Sequence, residues 1–124
     1  MEPLPGHLDV SLATRSDGAL VIALAGELDL ATSPELATKL EELAGQPHRP
    51  VIVDLSHLTF LDSSGIALLV AESRRRVDSG GRLVLAGPTG EVRRVLEIAR
   101  ISEVVAVEPS VESSSPDVGD TATG

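Results

Sequence analysis

Asp62-Ser63-Ser64-Gly65 places two hydroxyls between an apolar stretch, Val51 to Leu61, and a helical pattern that opens at Ile66. A strand that runs through a short loop into a helix presents such side chains at the edge of a sheet, and three chemistries fit. Asp62 and Ser63 can act simply as caps, their oxygens accepting the first free N–H groups of the helix. Alternatively, a serine at this position can take a regulatory phosphate, because the free N–H groups and the helix dipole tolerate a charge of about −1.5 to −2. A nucleophilic serine is the third option. It needs a G-x-S-x-G turn and a base, whereas Leu61 stands two residues before Ser63 and His57 is the one base nearby.

The remaining polar clusters point to less. His7 and His48 read as terminal and loop residues, and no histidine pair has metal-ligand spacing on a helix face, so no metal is expected. Gly80-Gly81 and Gly87-Pro88-Thr89-Gly90 lack the Lys-Ser/Thr of a phosphate loop and form no G-x-G-x-x-G, which leaves turn and cap duty. Arg74-Arg75-Arg76 falls in the last turns of a helix, where cations suit the dipole and Glu72 and Asp78 are close in sequence. A solvated face is the expectation there, with a partner-binding rim as the alternative. Ser113-Ser114-Ser115-Pro116 lies in a polar tail and suggests modification only by its composition.

The elements that must position the Asp62 loop follow from periodicity. Leu8, Val10 and Leu12 alternate with polar residues, and Ala19 to Ala25 is apolar. Between them Arg15-Ser16-Asp17-Gly18 supplies a turn, so the two runs form a hairpin. Gly26-Glu27-Leu28-Asp29 leads out of the second strand. A helix then begins either with Ser33 as N-cap and Pro34 in the first turn or with Thr32 and Glu35 as a capping box. Leu36, Leu40 and Leu43 share one face, and Gly45, Pro47 and Pro50 end the helix. Val51 to Leu55 and Leu83 to Ala86 are short, apolar strands suited to a parallel sheet covered on both faces. Between them runs a helix on Ile66, Leu69, Val70 and Val77, capped by Asp62 or Ser63 and stopped by Gly80-Gly81. Thr89 caps a third helix with Val92, Val95, Leu96 and Ala99 inward, and Val104 to Val107 adds a last strand. The expected fold is a single α/β domain over residues 8–108, a mixed sheet of four to five strands in the order β-β-α-β-α-β-α-β. A flexible N-terminus, 1–7, precedes it, and a disordered acidic, Ser-rich tail, 109–124, follows.

Composition narrows the function. The chain has 124 residues, 42% apolar and 23% charged, with no cysteine, tryptophan or tyrosine and one phenylalanine, Phe60. Thiolate chemistry and disulfides are excluded. The net charge of −9 opposes nucleic-acid binding, and the aromatic platforms that stack single-stranded bases are missing. No apolar run approaches the ~18 residues of a membrane span, and the N-terminus lacks the pattern of a signal peptide. A free cytoplasmic protein is expected, without nucleic acid, membrane span or cofactor.

Taken together, the strand carrying Asp54, the Asp62-Ser63-Ser64-Gly65 loop and the earlier Gly26-Glu27-Leu28-Asp29 before a helix resemble the STAS family. The likeness spans about residues 6 to 108 and is strongest to the stand-alone bacterial anti-sigma factor antagonists. The resemblance implies partner switching rather than enzymatic activity. In that family the unphosphorylated antagonist binds an anti-sigma factor that is also a serine kinase, which frees a sigma factor for transcription. The kinase uses ATP to phosphorylate the antagonist and end the binding, and a serine phosphatase restores it. Carried onto this chain, Ser63 is the phosphoacceptor and Ser64 a helix-start residue, with Ser64 still open as an acceptor. Asp62 shapes the loop, Gly65 lets a partner approach closely, and Glu27 and Asp29 join the partner-binding surface. Some STAS domains are instead constitutive subunits of stress-signalling scaffolds or lipid-transport complexes, which is the alternative reading.

Overall fold

In the computed structural model residues 6–113 are described. Strands β1 (Leu8–Thr14) and β2 (Leu20–Leu28) form the expected antiparallel hairpin, and Gly18 in its turn takes φ +93°, where a side chain would be strained. Arg15 clamps the turn by donating to both Asp17 carboxylate oxygens, at 3.0 and 2.7 Å, and Ala19 N–H donates to Asp17 Oδ1 at 3.2 Å. The Arg15 bonds, aided by that backbone N–H, hold the Asp17 carboxyl at a pKa of about 2, below its ordinary range.

The chain continues as α1 (Ser33–Glu42), β3 (Pro50–Leu61), α2 (Ser63–Asp78), β4 (Arg82–Ala86), α3 (Gly90–Ile98), a 3-10 turn (Ile101–Glu103) and β5 (Ala106–Glu108). The strands lie in the order β1-β2-β3-β4-β5, and every pair after the hairpin is parallel. Each parallel crossover therefore moves one place in the same direction, and right-handed connections put all three helices on one face. The core agrees: Leu36, Leu40 and Leu43 from the α1 segment, Leu69 of α2, and Val92 and Leu96 of α3 share one buried cluster with Leu24, Val53, Leu55 and Leu85. The expected α/β architecture and element order are thus observed.

Two strands are longer than their sequence patterns suggested, and the reason is a break in alternation. Gly26-Glu27-Leu28 does not leave β2 but completes it, and Ser56 to Leu61 is not a loop but the second half of β3. Along the β2–β3 ladder Asp54 pairs with Ala23 but His57 with Ala25, and Leu58 pairs with Gly26 but Phe60 with Glu27. Each shift inserts one extra residue into β3, which is what a β-bulge does. The buried residues Leu55, Leu58 and Leu61 consequently recur every third position, and a search for period two overlooks them.

Other expectations about inward faces also need correction. Leu12 is half exposed at the free edge of β1, Val77 is 60% exposed, Ala99 and Val104 are exposed, and β5 begins only at Ala106. The buried face of α2 instead runs through Gly65, Leu69, Glu72, Ser73 and Arg76, while Ile66 and Val70 flank it, half-buried. Arg76, expected to be solvated, is 3% exposed. Its Nη1 donates to the carbonyls of Gln46 at 3.2 Å and Arg49 at 3.1 Å, and its Nη2 donates to Leu43 O at 3.2 Å. Nε lies 3.3 Å from Glu72 Oε2, a charge contact without hydrogen-bond geometry. Burial pulls the guanidinium's pKa below its ordinary value and Glu72 opposes that shift. Arg49 carries the tie onward, donating to Gly18 O in the hairpin turn at 3.1 and 2.6 Å.

Part of the expected tail is folded. Val111 packs with Val21 on a small buried cluster of Ala19, Ile52 and Ala86, on the sheet face that carries no helix, and its carbonyl accepts from Arg15 Nη1 at 2.7 Å. Residues 109–113 therefore extend the body beyond β5. The rest of the expected tail, 114–124, and residues 1–5 of the expected N-terminal segment lie outside the described residues. His7 of that segment is tied in, since its carbonyl accepts Glu27 N–H at 2.9 Å.

Candidate functional site

Asp62 stands alone between β3 and α2 and resolves the question of which residue caps the helix. Its backbone is extended, and Oδ1 accepts Ser64 N–H at 2.9 Å and Gly65 N–H at 3.1 Å. A single carboxylate oxygen thus satisfies two of the four N–H groups that a helix start leaves open. Ser63 is the first helical residue rather than the cap. Its side chain is exposed and its hydroxyl has no hydrogen-bond partner among the described residues, whereas Ser64 is half-buried. The hydroxyl best placed to meet a second molecule is therefore that of Ser63.

Gly65 corrects its expected role. It is buried against the chain's own core, and a Cβ there would stand 2.7 Å from Leu28 Cγ and 2.7 Å from Leu61 Cδ1, far inside van der Waals contact. Glycine at 65 allows α2 to close on the ends of β2 and β3. It does not offer a partner an open approach.

The second candidate segment lies beside the first. Leu28 pairs with Leu61, and Asp62 N–H donates to Leu28 O at 3.2 Å, so the ends of β2 and β3 deliver their loops to one edge of the sheet. Asp29 is half-buried and structural at one oxygen: Oδ1 accepts Thr32 N–H at 2.9 Å, and Asp29 N–H donates to Thr32 Oγ1 at 3.0 Å. The Thr32 hydroxyl in turn donates to Glu27 O at 2.8 Å. Thr32 thus takes the N-cap position of α1, yet its hydroxyl is spent on the turn before the helix, and neither expected side-chain cap forms. Glu27 is half-buried and pairs with Phe60 in the ladder. The reading from sequence overlooked two exposed apolar neighbours, Leu30 at 74% and Phe60 at 43%.

The two segments that form this edge carry side-chain charge of one sign. No lysine or arginine occurs between Arg15 and Lys39 or between Arg49 and Arg74, while Glu27, Asp29, Glu35 and Asp62 all fall in those intervals. His57, the base considered for a nucleophilic serine, has its Nδ1 3.2 Å from Ser56 Oγ. A groove of about 490 Å³ lies elsewhere, lined among others by Thr89, Arg93, Glu97 and Glu108. Its carboxylates disfavour the phosphate considered for the Gly87-Pro88-Thr89-Gly90 turn. Among the described residues no helix is long and apolar enough to cross a membrane, and no group of His, Asp and Glu could hold a metal ion.

Comparison with known proteins places this geometry. BtrV of Bordetella bronchiseptica, a candidate anti-sigma factor antagonist, is 33% identical over 101 residues, covering 80% of this chain and 85% of its own. The anti-sigma-B factor antagonist of Staphylococcus aureus is 26% identical over 99 residues, covering 80% and 92%. The Bacillus anti-sigma factor antagonist SpoIIAA superimposes in its unphosphorylated form with a TM-score of 0.64 at 25% identity, over 84% of this chain and 91% of that one. Its phosphorylated form gives 0.61, also at 25% identity, over 80% and 90%. The STAS domain matches residues 11–114, nearly the whole described body, and the chain belongs to the STAS domain family.

Proposed function

We propose that this protein is an anti-sigma factor antagonist of the cytoplasm, itself a substrate rather than an enzyme. In this reading the unphosphorylated chain binds an anti-sigma factor that is also a serine kinase, and a sigma factor is released. Transfer of the γ-phosphoryl group of ATP to Ser63 Oγ, with loss of the hydroxyl proton and release of ADP, ends the binding. A serine phosphatase reverses the step. The observation that carries the reading is the exposed, unengaged Ser63 hydroxyl on a helix start that Asp62 has already capped.

That capping gives the switch its physical logic. Asp62 Oδ1 already holds the Ser64 and Gly65 N–H groups, so a phosphate on Ser63 competes with a carboxylate for them and is turned outward. A dianion there meets a surface that is already acidic and brings desolvation and repulsion into any contact centred on it. A hundredfold loss of affinity requires about 2.7 kcal/mol, within reach of one badly placed buried charge. The domain itself stays folded, because the phosphate points away from its core. Glu27, Asp29, Asp62, Ser63 and Ser64 form the partner surface.

Affinity capture from the source organism with wild-type and Ser63→Asp baits tests the reading. Wild type alone should retain an ATP-binding, kinase-like protein. Equal retention of the same scaffold or membrane proteins by both baits would overturn the switch in favour of a constitutive structural subunit.

A further inference from the structure

Leu30 and Phe60 adjoin in sequence the two loops of the candidate site and are exposed, Leu30 in the turn after β2 and Phe60 near the end of β3. Leu30 follows Asp29 in a turn that the Asp29–Thr32 bonds hold, so its backbone is already ordered and only side-chain entropy remains to be lost on contact. Phe60 sits in β3, an interior strand, one position after the second bulge and two before Asp62. It is the one aromatic residue of the chain, and its register with Glu27, one position from the inward pair Leu28 and Leu61, puts it on the sheet face that carries no helix, near the end of β3. Single exposed apolar residues are ordinary on protein surfaces. These two differ from Val77 and Ile98, also exposed, in belonging to the two segments that hold Glu27, Asp29, Glu35, Asp62 and the exposed Ser63 and that carry no lysine or arginine.

We infer that Leu30 and Phe60 are the apolar anchors by which the partner kinase docks around Ser63, its own surface being an apolar socket rimmed by lysine or arginine. This rests on the functional reading above. Charge complementarity selects the occupant: a rim of carboxylates around apolar side chains repels a second copy of this acidic chain and attracts a basic surface. Aromatic and apolar residues at the centre with charges at the rim is also how tight protein contacts are built. The anchors would set affinity, and the acids would set the rate of encounter and its salt dependence.

The probe is the ATP-binding protein retained by the wild-type bait and released by Ser63→Asp, titrated calorimetrically with Leu30→Ser, Phe60→Thr and the distant controls Val77→Ser and Ile98→Ser. Each anchor variant should bind at least tenfold more weakly with an unchanged melting temperature, the controls should stay within twofold, and association should slow as salt is raised. A Phe60→Thr chain that melts early leaves Leu30→Ser to decide, because Leu30 is exposed and belongs to neither buried cluster. Wild-type affinity for Leu30→Ser overturns the anchors while leaving the Ser63 switch standing. If no protein distinguishes wild type from Ser63→Asp, the functional reading falls and the anchors fall with it.

Discussion

The two ends of α2 handle polar residues in opposite ways. At its N-terminus Asp62 closes the helix with one oxygen and leaves the next hydroxyl, Ser63, in solvent. At its C-terminus Arg76 is buried, spending its donors on three carbonyls of the α1–β3 connection beside Glu72. One end leaves a hydroxyl in solvent, and the other turns a charged side chain into scaffolding. In the proposed function, the conformationally fixed end is what would let Ser63 be modified without loss of the fold.

The contrast can be broken most strongly at the scaffold. Arg76→Ala strips three carbonyls of their donor and leaves Glu72 beside an unfilled site, and should cost about 3–5 kcal/mol in chemical denaturation. Partner binding per folded molecule should not change. Gly65→Ala comes next. The added methyl collides with Leu28 and Leu61, and such overpacking costs about 1–3 kcal/mol. Because it shifts the start of α2, it should also weaken binding, a joint effect that Arg76→Ala lacks. Asp62→Ala removes the cap and should cost about 0.5–2 kcal/mol. It also frees the Ser64 and Gly65 N–H groups, so a phosphate on Ser63 should then stabilise the helix, and thermal melts of the phosphorylated variant should rise rather than stay level.

The smallest effect concerns the hairpin turn that Arg49 links to the Arg76 end. The Asp17 carboxyl has its folded pKa depressed to about 2, from an ordinary 3.8, chiefly by its bonds to Arg15. Its contribution is therefore complete above pH 3.8 and lost as pH falls through about 2. Asp17→Asn should lower stability slightly above pH 3.8, leave it unchanged below about pH 2, and so flatten the acid limb of the profile between them.

Legibility in the sequence followed the same division. Hydrophobic periodicity located every strand and helix in order, because burial against one sheet face imposes it. It failed where the backbone departs from regular spacing, since the β3 bulges hide Leu58 and Leu61 behind a period of three. It failed again at Glu72 and Arg76, whose burial depends on carbonyls some thirty residues away in sequence. The Asp62-Ser63 motif was visible because a cap and an exposed hydroxyl are local features. Gly65 was visible as a glycine but misread, as its neighbours Leu28 and Leu61 come from two other segments. Leu30 and Phe60 carried no periodic signal at all.

The most direct measurement is the affinity of the captured kinase-like partner for two forms of the chain, unmodified and carrying phosphoserine at position 63 from synthesis, with thermal melts of both. Phosphorylation should weaken binding at least a hundredfold while the melting temperature moves by less than about 4 °C, the shift that ~1 kcal/mol produces in a domain of this size. Equal affinity of the two forms, or a phosphorylated chain that no longer folds, would contradict a switch that acts at the surface of an intact domain.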